Sequence, residues 1–256
     1  MNQFVKPDWL PSVLSGMRVL VTGASGGLGS ALVDMLLDGS DCLIGAHGAS
    51  KEYPRRDDRV IALKRTFESE PDCATLVDEF VAKASGIDAL VVLSGAIHFP
   101  GHWNDMSGSE WEREINVNLN HPFFLARAAI RQMKKQGTGG RILLTGTESA
   151  LHGGSPVSFP YAVAKRGTEC LVQGLAREGA PDGVLVNGLR LGFIRSGFHE
   201  RWHAKSEKDL AERDELVPLK RGGEPEEAAA LMIWLLSEWS AFMTGQMVAL
   251  TGGDWL

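Results

Sequence analysis

The stretch Met17-Arg18-Val19-Leu20-Val21-Thr22-Gly23-Ala24-Ser25-Gly26-Gly27-Leu28-Gly29 decides how this chain is read. Met17 to Val21 make a short apolar strand, and a glycine-rich turn follows at once. Leu28, Ala31, Leu32, Met35 and Leu36 then recur at i, i+3, i+4, i+7 and i+8, the buried stripe of a helix. Gly39 is the expected C-cap of that helix. Glycines between a strand and a helix permit a sharp turn and close backbone approach. The helix N-terminus adds free N–H groups and the positive end of a dipole, so the segment reads as a seat for a diphosphate.

Outward from it, the same alternation continues. Strands are expected at Cys42–Ala46, Val60–Leu63, Ala89–Leu93, Arg141–Thr145, Val184–Leu189 and Met247–Leu250. Helices are expected near Asp72–Ala84, Ser109–Lys135, Tyr161–Gly179 and Pro225–Ser237. Continuously apolar strands separated by helices imply a parallel sheet covered on both faces. The fold class is therefore α/β, a single doubly wound parallel sheet of about seven strands. Residues 1–16 read as an N-terminal arm and 17–256 as one domain, with no linker or repeat between.

Composition narrows the function. The net charge is −6, from 26 basic against 32 acidic residues, which argues against a protein built to grip nucleic acid or an anionic membrane. No apolar run reaches membrane-spanning length. Three cysteines, Cys42, Cys73 and Cys170, form no close pair, so neither a disulfide framework nor a zinc ribbon is expected and the cytoplasm is the simplest location. Glycine reaches 30 of 256 residues, well above the ordinary ~7%, without a period.

Tyr161 and Lys165 are the chemical pair. A tyrosine can serve as a proton donor if its pKa is drawn toward neutrality. A lysine four residues on lies on the same helix face, where its ammonium favours the phenolate. Of the two tyrosines, Tyr53 and Tyr161, only Tyr161 has such a partner. A second pattern competes with it. His199-Glu200-Arg201-Trp202-His203 fits His-Glu-x-x-His, which on a helix can offer two zinc ligands and a base. A zinc hydrolase is thus a rival reading, although no metal site is assigned.

Further matches run in order from Met17 to Asp254. They are Thr22-Gly23-x-x-x-Gly27-x-Gly29, Asp88-Ala89-Leu90-Val91 with Gly95, Asn118, Tyr161-x-x-x-Lys165, Asn187, Gly192-Phe193-Ile194, and Gly223-Glu224-Pro225-Glu226. Their joint order resembles the short-chain dehydrogenase/reductase family. That resemblance implies an NAD(P)(H)-dependent oxidoreductase interconverting a carbonyl and a secondary alcohol. Tyr161 would be the general acid/base, Lys165 its partner, and Asn118 the holder of a water that links Lys165 to solvent. Thr22, Gly23, Ser25, Gly27, Leu28, Gly29, His47, Gly95, Tyr161, Lys165, Gly192, Ile194 and Ser196 would hold the cofactor.

The chain departs from the family pattern at several places. Val92-Leu93-Ser94 replaces the usual Asn-Asn-Ala, and Leu191 the usual proline. The family serine falls on Thr147 if Gly140-Arg141-Ile142 is matched to the strand start, on Glu148 by counting thirteen residues back from Tyr161, with Ser149 close by. Thr147 is preferred because it has a hydroxyl, and Glu148 is expected to turn away from the site. His47 stands where NAD-selective members have Asp, so NADP(H) is favoured over NAD(H), with Ser50, Lys51, Arg55 and Arg56 as nearby donors. Ile97, His98, His152 and the lid at about 193–217, through Phe198, His199 and Trp202, are expected to line a pocket for a small-molecule carbonyl or alcohol substrate. Carrier-bound substrates are disfavoured, because Pro181-Asp182-Gly183 stands where such members have a basic residue. The resemblance also implies a homotetramer, with a dimer as the second choice. A cofactor-binding sensor that has lost catalysis remains the second reading within the fold.

Overall fold

In a computed structural model the described residues are 14–254; most of the expected N-terminal arm lies outside them. Seven strands form one parallel sheet: β1 (Arg18–Thr22), β2 (Leu43–Gly48), β3 (Val60–Lys64), β4 (Ala89–Val92), β5 (Gly140–Thr147), β6 (Val184–Leu191) and β7 (Met247–Leu250), in the order β3-β2-β1-β4-β5-β6-β7. The order reverses between β1 and β4, and the carboxyl ends of strands at such a reversal are where this architecture opens a crevice.

Alternation along the strands builds two cores. Val19, Val21, Ala89 and Val91 pack against helices α1 (Gly27–Gly39) and α8 (Pro225–Leu236). Leu20, Leu90, Val92, Ile142 and Leu144 pack against α2 (Glu70–Ala84), α4 (His121–Gln136) and α5 (Phe159–Gly179) on the other face. Gly45 lets β2 meet this second layer: a Cβ there would lie 2.5 Å from the Phe80 ring. Gly39 is not the cap of α1 but its last residue; the next residue, Ser40, is extended and its hydroxyl donates to the Leu36 carbonyl at 2.7 Å.

The helix expected over Ser109–Lys135 is not continuous. It is α3 (Gly108–Ile115), a π turn over Asn116–Asn120, and then α4. Pro122 has no N–H to give the Asn118 carbonyl four residues back, so the α-helical ladder cannot run through. The chain takes the wider turn instead, with the His121 N–H donating to the Asn116 carbonyl. Strands β5 and β6 both run two residues beyond their expected ends, which carries Thr147 and Leu191 to the rim of the sheet.

Candidate active site

At that rim lies a cavity of about 660 Å³. Its walls bring together Leu28, Gly95, Thr147, Tyr161, Lys165, Gly192, Ile194 and Ser196 from the predicted set. Thr22 is not exposed to it: the residue is buried, and its hydroxyl shares a 2.9 Å hydrogen bond with Ser94 that ties β1 to the end of β4. Of the expected substrate contacts, Ile97, His152, Phe198 and His199 line the cavity. His98 and Trp202 do not; they pack edge to face on each other, 5.4 Å between ring centres.

Tyr161 and Lys165 project from one face of α5. Lys165 is 3% exposed; its ammonium donates to the Thr145 carbonyl at 2.9 Å and lies 5.6 Å from the centre of the Tyr161 ring. Burial pulls the Lys165 pKa down to about 8. It pushes the Tyr161 phenol up, and the charge of Glu114 adds to that effect. Lys165 directs its proton to a backbone carbonyl, with its ammonium beside the Tyr161 ring.

Asn118 sits in the π turn, fully buried. Its Oδ1 accepts from the Ala96 N–H at 3.1 Å, and its Nδ2 donates to the carbonyls of Ala96 (2.7 Å) and Glu114 (3.0 Å) and to Glu114 Oε2 at 3.3 Å. Glu114 escaped the sequence reading because α3 carries Glu110 and Glu112 as well and the run looks like a solvated face. Its spacing of four before Asn118 was the available signal, since i and i+4 share a helix face.

Beyond β5, the hydroxyls of Thr147 and Ser149 share a 3.1 Å hydrogen bond, and both line the cavity. Glu148 does not turn away as expected. It lines the same cavity, is 5% exposed, and its Oε2 is buried without a hydrogen-bond partner. Burial raises its pKa. Arg190, the cation acting most strongly on it, is already engaged by Glu169 at 3.1 Å.

The glycine turn fits a dinucleotide. Gly23 has φ +75°, and a Cβ there would lie 2.9 Å from the Ser94 nitrogen; at Gly29 it would lie 2.2 Å from the Gly23 carbonyl oxygen. The N-cap Gly26 supplies no side-chain acceptor, and the first turn of α1 holds no acidic residue, which leaves its N–H groups and dipole for an anion. The Ala24 N–H donates to the His47 carbonyl at 2.8 Å, fixing the turn to β2. The backbone of Ser196 closes over Gly27, where a Cβ would meet the Ser196 carbonyl oxygen at 2.3 Å.

His47 is turned inward. It is 1% exposed, stacks on Phe67 at 4.7 Å and places Nε2 2.8 Å from the Arg65 carbonyl. A carbonyl only accepts, so Nε2 carries the proton and Nδ1 is bare. Burial lowers the pKa and keeps the ring neutral. Of the nearby basic residues, Arg55 is paired with Asp38, while Lys51 and Arg56 are exposed.

The region expected as the lid folds into α6 (Phe198–His203) and α7 (Glu207–Leu216), with Gly197 (φ +76°) and Ala204 (φ +49°) at the ends of α6. Phe198 faces Tyr161 at 5.8 Å between ring centres. Arg195 ties the segment down through Asp214 and Glu207, as does Arg213 through Asp254. His199 and His203 stack on each other at 5.9 Å, and burial pulls His199 down to about 4. Among the described residues no group of three His, Cys, Asp or Glu side chains is placed to hold a metal.

A family profile described as "Enoyl-(Acyl carrier protein) reductase" matches residues 50–254. The chain belongs to the short-chain dehydrogenase/reductase family. It is 32% identical over 253 residues to an L-rhamnose 1-dehydrogenase (NAD(P)(+)) of Sphingomonas sp., covering 94% of this chain and 97% of that one. It is 30% identical over 244 residues to an uncharacterized oxidoreductase of Mycobacterium tuberculosis, covering 92% and 90%. A crystal structure of a short-chain type dehydrogenase/reductase from Mycobacterium marinum superposes with a TM-score of 0.81 at 27% identity, covering 97% and 99%. This family member is an oxidoreductase acting on a CH–OH group with a nicotinamide nucleotide. No helix among the described residues is long and apolar enough to cross a membrane.

Proposed function

We propose that this enzyme interconverts a carbonyl and a secondary alcohol of a hydroxylated small molecule, with Tyr161 as general acid/base. The observation that carries the reading is the convergence of Tyr161, Lys165, Thr147 and Ser149 on one cavity at the rim of the switch point. A bound nicotinamide ring supplies or takes the hydride. The Tyr161 hydroxyl gives its proton to the substrate oxygen in reduction. Thr147, in the bond it shares with Ser149, donates to the same oxygen as charge develops. Lys165 orients the cofactor ribose and carries positive charge beside Tyr161, and Asn118 holds the relay toward solvent. Residues of the glycine turn, with Gly95, Gly192, Ile194 and Ser196, hold the nucleotide, and residues 193–217 close over the substrate.

The similarity to an L-rhamnose 1-dehydrogenase supports a substrate rich in hydroxyl groups, and Glu148 places a carboxyl group in the cavity wall. A carrier-bound acyl substrate is not proposed: Asp182, ahead of β6, forms a 2.7 Å ion pair with Lys134 rather than offering a basic docking point. NADP(H) is favoured because no carboxylate stands at the end of β2 to repel a 2′-phosphate, while Lys51 and Arg56 are exposed beyond it. A cytoplasmic homotetramer is proposed on the family pattern, supported by exposed Trp103, Trp111, Phe159 and Val163 beside and on α5; light scattering that gives a monomer would sink it.

The test is a screen of sugars, polyols and ketones with both cofactors, read at the nicotinamide absorbance, followed by Tyr161→Phe. The variant should lose nearly all turnover and keep its cofactor affinity. Retention of a tenth or more of the activity at saturating substrate refutes Tyr161 as the acid. Failure of every carbonyl and alcohol to turn over, with cofactor still bound, favours the sensor reading.

A further inference from the structure

The cavity wall is chemically divided. The segment from the end of β5 to the start of α5 contributes hydroxyl groups from Thr147, Ser149 and Ser155, whereas residues 193–216 contribute the apolar bodies of Phe193, Phe198 and Leu210. Among the hydroxyls stands Glu148, which lines the same cavity and is 5% exposed. Its Oε2 is buried without a hydrogen-bond partner. The charges around it do not satisfy it. Arg190 on β6 donates to Glu169 on α5 at 3.1 Å, and Asp254, after β7, acts on Glu148 as a like charge and is itself paired with Arg213. His152 lies in the same loop and lines the cavity as well.

A carboxyl group held this way costs stability, and an apolar side chain would fill the position without that cost. Packing therefore does not call for an acid at residue 148. A ligand in the cavity does. Small-molecule sites are mostly apolar, with a few polar groups placed to fix orientation, and a ring compound bearing hydroxyls presents both C–H surface and donors to such a wall. The terminal torsion of a glutamate is broad and roughly two-fold, so the carboxyl group can turn either oxygen to a donor. An ammonium on the substrate would also donate, but Lys165, Lys205 and Arg213 line the cavity and would oppose a cation there. A neutral hydroxyl meets no such repulsion.

We propose that Glu148 is the specificity-determining residue of this site: its carboxyl group receives a second hydroxyl of the substrate while Tyr161 and Thr147 hold the reacting oxygen, so that a cyclic polyol is preferred over a simple alcohol. This rests on the reading of the cavity as the place of carbonyl and alcohol interconversion. The substrate hydroxyl supplies the donor that Glu148 Oε2 lacks in the fold, and a substrate without that hydroxyl leaves the carboxyl group buried and unsatisfied. The discrimination comes as much from that penalty as from the bond gained.

Cyclohexanol and the cyclohexanediol isomers test this, because they share a ring and differ by one hydroxyl. With the full chain and either oxidised cofactor, at least one diol should show a kcat/KM about ten- to a hundredfold above that of cyclohexanol, the usual effect of one hydrogen bond to a charged group. Glu148→Leu should erase that preference by lowering the diol and leaving cyclohexanol unchanged or improved. Glu148→Gln keeps the shape and an acceptor but not the charge, so it should keep only part of the preference, and it serves if the leucine variant does not fold. A parent without the preference overturns the proposal. So does a preference that survives in full in either variant, or an equal loss for both alcohols, which a merely structural role produces. A larger loss for an aminocyclohexanol than for the matching diol overturns the hydroxyl assignment in favour of an ammonium. If no alcohol is oxidised, the reading of the reaction fails, and calorimetric titration of the cofactor-bound protein with the diols decides Glu148 by itself. Binding that is present in the parent and lost in Glu148→Leu supports it; equal or absent binding overturns it.

Discussion

Replacing Lys165 by methionine should make the protein more stable at neutral pH while abolishing turnover. Lys165 is 3% exposed and forms no ion pair among the described residues, and burial takes its pKa from 10.5 to about 8. The folded state thus carries a penalty for the ammonium of about 3 kcal/mol. The sign follows from proton binding. Between about pH 8 and 10.5 the unfolded chain holds a proton that the folded one lacks, so stability rises with pH across that window, and below it the full penalty stands. Methionine fills nearly the same volume and removes the penalty, but it leaves the Thr145 carbonyl without its 2.9 Å donor, a loss of about 1–2 kcal/mol. The net expectation is a gain of about 1–2 kcal/mol near neutrality, or a few degrees in Tm. Paired denaturation of the two proteins at equal concentration, across this pH range, checks it. The gain should shrink through the window and give way to a small deficit above it. A variant less stable than its parent at neutral pH, or a difference that ignores pH, refutes the reasoning.

Thr147→Val should lower kcat by about 10²–10³, the usual loss for one donor at a developing oxyanion, with Thr147→Ser near the parent and Ser149→Ala mild; the reverse pattern would move the role to Ser149. Because the two hydroxyls share one hydrogen bond, the double variant should lose less than the product of the single losses. His47→Asp should reverse a preference for NADPH over NADH, since a carboxylate repels the 2′-phosphate and accepts from the ribose hydroxyls; fluorescence titration showing NADH at least as tight in the parent defeats the NADP(H) proposal.

The sheet was legible because its strands are uninterrupted apolar runs and the helices between them keep a clean period; each expected strand is present within a few residues. Tyr161 and Lys165 were legible for the same reason, as i and i+4 on a long periodic helix. The break at Asn116–Asn120 was not read, although Pro122 announced it: the periodicity of apolar residues continues through a π turn, and only the missing N–H marks the fault. Glu148 was misjudged by an argument from charge. The expectation was that a carboxylate avoids a site where negative charge develops. The structure buries it in the wall all the same, at the start of the short helical turn that follows β5. His47 was placed correctly at the end of β2 but not its ring, which strand register alone cannot orient once Phe67 offers a stacking partner.

These misses share a cause. Glu114, Glu148 and the inward ring of His47 are polar groups buried against the trend of their residue types, and sequence patterning assigns such residues outward by default. His47 and Glu148 stand at the carboxyl ends of β2 and β5, and Glu114 on α3 packs against the turn that follows β4. Burial raises Tyr161 and lowers Lys165, so each is held closer to its neutral form than water would hold it, and the charge of Glu114 reinforces the first effect. A site built this way favours a proton on the tyrosine until positive charge enters beside it. The cost is carried by the fold, which is why removing Lys165 is expected to raise stability even as it removes activity.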